Sequence, residues 1–326
     1  MKRRALLVAG GGLLAAIAAP AFSQSQKSVR RIAFVHPGTR VGFQFLFDTF
    51  RAGLRDLGYV EGRDISIDPR WAEGRTDLLA SLAAEAVAQN PAVIVTATSA
   101  GVLACKNATA SIPIVFATAF NPVEQGFVST LQRPGGNITG VLLYSTMVQK
   151  VVEIAREALP AARRLAILIH EADPAHKFEL AGFEPAARRF KFEPIVVRIT
   201  RAEDLDRAFS ELAERKADAV ISPQLAIFQS NQKRVVALAL KAKLPLLSAQ
   251  DNMIERGGLL SYGTPREENY RRAAALVDKI LRGAKPADLP VEQPDRFQLV
   301  VNRKTARAIG VTLSPVTILR ADRIID

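Results

Sequence analysis

The sequence has one cysteine, Cys105, in 326 residues, which excludes any internal disulfide. No spacing of His, Cys and carboxylate residues has the pattern of a metal site. No Gly-x-Ser-x-Gly elbow marks a serine nucleophile, and the first apolar strand runs into His36-Pro37-Gly38 instead of a Gly-x-Gly-x-x-Gly phosphate loop. Long Gly/Ser tracts and blocks of like charge are missing, so nothing calls for a disordered region. Long apolar runs are missing too. The one candidate, residues 5–19, falls short of the roughly 20 residues that a membrane span needs.

That short run has a context of its own. Lys2, Arg3 and Arg4 precede it, and Pro20-Ala21-Phe22-Ser23 follows. The pattern predicts a secretory signal over residues 1–23, cleaved after Ser23, and a periplasmic mature protein with no stable membrane insertion. Arg3-Arg4 permits a twin-arginine route, and the lack of a nearby Cys argues against a lipid anchor. The formal charge is +12, and loss of the three leading basic residues leaves 41 basic against 32 acidic ones, or +9. The basic residues are spread along the chain, with Lys233-Arg234 and Arg271-Arg272 as isolated pairs. A solvated surface follows, and no nucleic-acid partner is expected.

What is present is an alternation of apolar strands and amphipathic helices, the mark of parallel sheets covered on both faces. Strands are predicted over 31–35, 65–67, 92–95 and 112–116, with helices over 43–57, 78–88 and 101–109. Phe43, Phe47, Phe50, Leu54 and Leu57 give the first helix one apolar face, and Cys105 lies in the third as core filler. The second half repeats the scheme. Arg163-Arg164-Leu165-Ala166-Ile167 echoes Arg30-Arg31-Ile32-Ala33-Phe34, and both strands end in a histidine, His170 and His36. Ala219-Val220-Ile221 parallels Ala92-Val93-Ile94, and Leu244-Pro245-Leu246-Leu247 parallels Ile112-Pro113-Ile114-Val115. Three echoes in the same order argue for two similar lobes. The tail adds a helix over 267–281, a Pro-rich passage and a last strand over 297–301, as a chain crossing back between lobes requires.

Certain motifs carry a family likeness. They are Leu57-Gly58-Tyr59-Val60-Glu61-Gly62, Arg70-Trp71-Ala72-Glu73-Gly74 and Arg133-Pro134-Gly135-Gly136-Asn137-Ile138-Thr139-Gly140. Towards the end come Pro290-Val291-Glu292-Gln293-Pro294, then Phe297-Gln298-Leu299-Val300-Val301-Asn302 and Lys304-Thr305-Ala306. In this order they resemble the bacterial ABC-transporter substrate-binding proteins, whose characterised members include tryptophan binders. The resemblance implies a type I periplasmic-binding-protein fold: two flavodoxin-like lobes, three crossovers forming a hinge, and a ligand in the cleft. It places residues 30–143 with 264–290 in the N-terminal lobe, and 144–263 with 291–326 in the C-terminal lobe. It also implies an inner-membrane ABC permease as partner and a small ligand, an amino acid or aromatic acid. A monomer suits hinge closure best. Family members often carry Asp-Pro-Val where this chain has Asn121-Pro122-Val123, which removes a carboxylate from that position. The motifs themselves read most simply as turns, Gly135 and Gly136 among them.

Ligands in open α/β folds bind beyond the carboxyl ends of the strands. That rule selects His36, Thr98, Ser99, Thr118, Phe120 and Asn121 in the first lobe, and His170, Gln224, Gln250 and Asp251 in the second. Tyr144 and Tyr262 flank the predicted crossings. Thr98 and Ser99 sit where a helix begins, so they either cap it or receive a carboxylate. Asp251 or Glu171 would pair an ammonium, and Phe120, Phe228, Tyr144 or Tyr262 would cover a flat side chain. No catalytic set, metal or cofactor is expected: the site holds its ligand unchanged. The rivals are an exported enzyme using the same cleft and an extracytoplasmic ligand sensor.

Overall fold

A computed structural model describes residues 29–143 and 146–326; the predicted signal, residues 1–23, lies outside them. The first half lays down β1 (Arg30–His36), α1 (Arg40–Asp56), β2 (Ile65–Trp71) and α2 (Leu79–Ala88). It continues with β3 (Val93–Thr96), α3 (Thr98–Ala108), β4 (Ile114–Phe120) and β5 (Ile138–Leu143). The second half begins α4 (Thr146–Ala158), β6 (Arg164–His170), α5 (His176–Arg189), β7 (Glu193–Ile199) and α6 (Leu205–Glu214). Then come β8 (Ala219–Ser222), α7 (Ala226–Ser230), α8 (Gln232–Lys241), β9 (Leu246–Ser248), α9 (Asp251–Glu255) and β10 (Leu260–Gly263). The tail supplies α10 (Arg266–Leu281), β11 (Gln298–Asn302), α11 (Arg303–Ile309), α12 (Pro315–Arg320) and β12 (Arg323–Ile325).

The strands form two sheets, ordered β2-β1-β3-β4-β5 and β12-β11-β10-β9-β8-β6-β7. From its β7 edge the second sheet runs β7-β6-β8-β9-β10, which is the flavodoxin-like order of the first. All described pairings in both sheets are parallel except β10 with β11. The repeat seen in the sequence is therefore a repeat of topology, and β1 and β6 are its equivalent first strands.

Burial on both faces explains the unbroken apolar runs. In β1, Ile32 and Phe34 pack with α1 residues Leu46, Phe47 and Phe50, while Ala33 and Val35 face Ala83 and Val102 on the opposite side. The chain crosses between sheets three times. It leaves the first sheet after β5, returns after β10, and crosses again ahead of β11. On its return, α10 packs Ala273, Ala274 and Val277 into the cluster that holds Phe34 and Val115. Val291 and Glu292 remain on the first sheet, where Glu292 N donates to Gly140 O and Leu142 N to Glu292 O, both at 2.8 Å.

Some elements run further than their sequence pattern predicts. The strand predicted over 112–116 runs on to Phe120, because Ala119 and Phe120 pair with Leu142 and Leu143 after a register shift. β2 continues to Trp71 through Pro69, which an edge strand tolerates. α3 starts at Thr98, three residues early. β12 had no predicted counterpart. Cys105 is buried in the first lobe's core, and burial pushes its thiol up to about 12, so it is inert filler.

Each lobe carries a glycine where neighbouring backbones meet. A Cβ at Gly140 would run into the Phe116 carbonyl, and one at Gly263 into the Ala249 carbonyl. Neither backbone oxygen can rotate away. We predict that G140A and G263A each cost about 1–3 kcal/mol of stability in urea denaturation, as overpacking does.

Candidate functional site

The carboxyl ends of β3 and β4 in the first sheet face those of β8 and β9 in the second, and three adjoining cavities lie between them. Their empty volumes are about 410, 300 and 270 Å³, and Gln224, from the loop after β8, lines all three. Thr98 and Thr118 of the first lobe and Leu225 of the second line both smaller cavities.

The 300 Å³ cavity is the polar one. Thr98, Thr118, Gln224, Gln229, Gln250 and Arg266 line it, with Tyr270 at its wall. Arg266 opens α10 and is 4% exposed, yet its guanidinium makes no hydrogen bond or ion pair among the described residues. Its Nε is buried without a partner, as are Thr98 Oγ1, Gln224 Oε1, Gln250 Oε1 and both amide atoms of Gln229. A buried polar atom left unpaired costs about 1–3 kcal/mol, and native proteins hold few of them. Here they converge from both lobes on one space. Thr98 adds backbone strain: it is β-branched and has φ of 61°, a left-handed conformation that such residues rarely adopt outside functional sites.

The 410 Å³ cavity is apolar. Phe120, Leu143, Val148, Val151, Phe183 and Ile221 form most of its wall. One acid breaks that wall, Glu179 in the first turn of α5. It is 5% exposed, and its Oε2 has no partner. Burial, with the Asp173 carboxyl beside it, pushes the Glu179 carboxyl well above its ordinary value. Asp173 is itself raised to about 6 by burial, against the hydrogen bond from Ala175 N. Glu179 is therefore a neutral acid unless a cation or donor enters beside it.

Several residues selected by the strand-end rule meet in these cavities. Thr98, Thr118, Phe120 and Gln224 line them, as does Gln250. Ser99 lines the third, where its hydroxyl oxygen accepts a hydrogen bond from Gln125 Nε2 at 2.8 Å. Ala97, not Thr98 or Ser99, holds the N-cap position of α3, and it makes no side-chain cap.

Others point elsewhere. His36 is buried behind the polar cavity in an aromatic cage, its ring 4.1 Å from that of Phe43 and 5.3 Å from that of Trp71. Gly38 N donates to His36 Nδ1, leaving the Nε2 proton to meet the Tyr270 hydroxyl oxygen at 3.0 Å. Burial and the nearby Arg266 lower His36 to about 3, so it stays neutral. His170 Nε2 bonds to Thr200 O, Asp251 faces Arg323, and Glu171 pairs with Arg198. Asn121 Nδ2 donates to Glu124, Tyr262 stacks on Phe297 at 5.7 Å, and Phe228 is core. Tyr144 lies outside the described residues.

Arg266, Glu179, Gln229 and Tyr270 were not selected from the sequence. One signal for Arg266 was available: a cation in the first turn of a helix opposes the helix dipole, so its placement needs another reason.

The chain matches, over residues 36–325, the family described as ABC transporter substrate binding protein. It is 26% identical over 262 residues to the tyrosine-binding protein of Clostridioides difficile strain R20291, covering 80% of this chain and 75% of that one. Two solved structures are each 23% identical and cover 91% of this chain. One is a Streptococcus pneumoniae domain in complex with L-Trp, with a TM-score of 0.85 and 100% of its chain covered. The other is a ligand-free, open substrate binding protein with adhesive properties from Clostridium difficile, with a TM-score of 0.65 and 99% covered. At equal identity and coverage, the fold here lies nearer to the tryptophan complex than to the open form.

The buried acid yields a signed prediction. Glu179 stays protonated in the folded chain well above the pH, about 4.3, at which it ionises when unfolded. Stability is therefore lost as pH rises through that window. E179Q should raise the melting temperature of the ligand-free protein at pH 8, and that gain should vanish by pH 4. An equal effect at both pH values would mean that the carboxyl's ionisation is not involved.

Proposed function

The chain belongs to the ABC transporter substrate binding protein family, and from that premise we propose that it is the periplasmic receptor of an ABC importer. It binds a small solute between its lobes, as a monomer, and presents the closed form to an inner-membrane permease. The solute is an amino acid or an aromatic acid, and it leaves unchanged. The hinge-joined bodies are residues 30–143 with the α10 segment, and residues 146–263 with the last strands. The observation that carries this reading is the set of unpartnered buried polar atoms that both lobes turn towards one space. A solute that supplies their partners binds only where both lobes reach it, and so shifts the population towards closure. The names of the similar proteins, a tyrosine binder and a tryptophan complex, support the ligand class.

Micromolar affinity, about −8 kcal/mol, is enough for this task. The test is a thermal-shift titration on mature protein stripped of solute by unfolding and refolding, with amino acids, aromatic acids, nucleobases and small sugars. We expect a saturating rise for amino acids or aromatic acids, worth about 2.7 kcal/mol at a hundredfold excess over Kd. The solute recovered after denaturation should be unaltered. A converted product would establish the rival enzyme, and a response only to sugars or nucleobases would overturn the ligand class.

A further inference from the structure

We propose that Arg266 is the specificity-determining residue of the cleft: it anchors the single carboxylate of a solute whose apolar body lies against Phe120, Val148, Val151, Phe183 and Ile221. The proposal rests on the solute-binding reading above and adds to it which group of the ligand goes where.

Arg266 is the one charged side chain among the described residues that line the polar cavity. Its surroundings do not balance its charge. The acids nearest in effect are Asp251 and Glu267, and neither reaches it. Asp251 faces Arg323 at 3.5 Å and accepts a hydrogen bond from Asn252 N, while Glu267 is exposed. The guanidinium instead lies 5.1 Å from the Phe45 ring centre and 6.0 Å from that of Phe43, contacts that hold its plane without neutralising it. A buried ion persists only with a partner, and this one opens onto a cavity.

The cavity's other polar groups refine the partner. Thr98 and the amides of Gln224, Gln229 and Gln250 are neutral, and those with unpaired atoms offer further hydrogen bonds. One cation with neutral donors balances one negative charge. A carboxylate fits, and its two oxygens match the planar fork of arginine; a phosphate dianion would leave a charge uncompensated. The adjoining cavity, which shares Gln224 as a lining residue, offers a mostly apolar wall to a hydrocarbon or aromatic body.

The experiment is calorimetric titration of wild type, R266Q and R266K with two matched series. One is L-tryptophan, indole-3-propionate and tryptamine; the other is L-tyrosine, 4-hydroxyphenylpropionate and tyramine. We expect at least one carboxylate-bearing member to bind wild type, and the decarboxylated amine of its series to bind at least about 30-fold more weakly. R266Q should weaken the acid by about 30- to 4,000-fold, the usual loss for one partner of a buried charge pair. R266K should fall between. A purely structural arginine would destabilise the free protein when replaced; here R266Q should melt at an equal or higher temperature without ligand.

Amines binding as tightly as their acids, or R266Q retaining full affinity, would overturn the assignment. A neutral solute bound equally by wild type and R266Q would overturn it too, while leaving the solute-binding reading intact. No binding by any acid would remove the assignment together with the ligand class.

Discussion

Two ionisable groups, Arg266 and Glu179, are buried in the space between the sheets, and among the described residues no oppositely charged side chain pairs with either. Water solvates such groups well, and a dry interior does so poorly; the cost of the transfer is several kcal/mol per ion. The carboxyl escapes by staying protonated. The guanidinium cannot, because arginine keeps its proton at any ordinary pH. Under the proposed function, a closed arrangement of the lobes is costly by itself and becomes favourable when a solute between them answers Arg266, which would couple closure to binding.

The repeated topology is what brings these groups together. Each lobe has the same strand order, and the carboxyl end of β4 shares one space with the segments that follow β3, β8 and β9. Arg266 enters from a third direction. It lies immediately after a crossing, at the start of the helix by which the chain returns to the first lobe. A residue there feels both lobes at once. The first lobe's edge of the cleft also touches the second directly, since Thr39 N donates to Ser230 Oγ at 3.2 Å. Thr98 brings its strained backbone to the same place, which is where tolerance of strain is most often useful.

The fold was legible because its determinants are local and repetitive. β1 and β6 are apolar on both faces, and α1 shows its buried stripe at helical spacing, so order and type of elements follow from pattern alone. The extent of β4 was not legible: Ala117 to Phe120 look like a loop, and only pairing with β5 makes them strand. The site was half legible. Strand-end logic finds Thr98, Thr118, Gln224 and Gln250, since topology fixes where strands end. It also selects Asp251, Asn121 and His36, whose side chains turn to Arg323, Glu124 and an aromatic cage. Side-chain direction depends on distant partners that no local pattern announces. Arg266 and Glu179 escaped notice because each sits in the first turn of a helix, where a charged residue ordinarily faces water. Nearby Glu268 and Arg272 do pair along the surface of α10, and that pattern hides the inward turn of Arg266.

The proposed function requires that the lobes close on a solute. Its most direct test is the distance between spin labels on Asp48→Cys in α1 and Lys233→Cys in α8, both exposed and on opposite lobes. Cys105 is buried and will not compete for the label. With stripped protein the distance distribution should be long and broad, and saturating solute should collapse it to a single shorter distance. One unchanged distance in both conditions would contradict hinge closure and leave Arg266 and Glu179 as buried groups without an explanation.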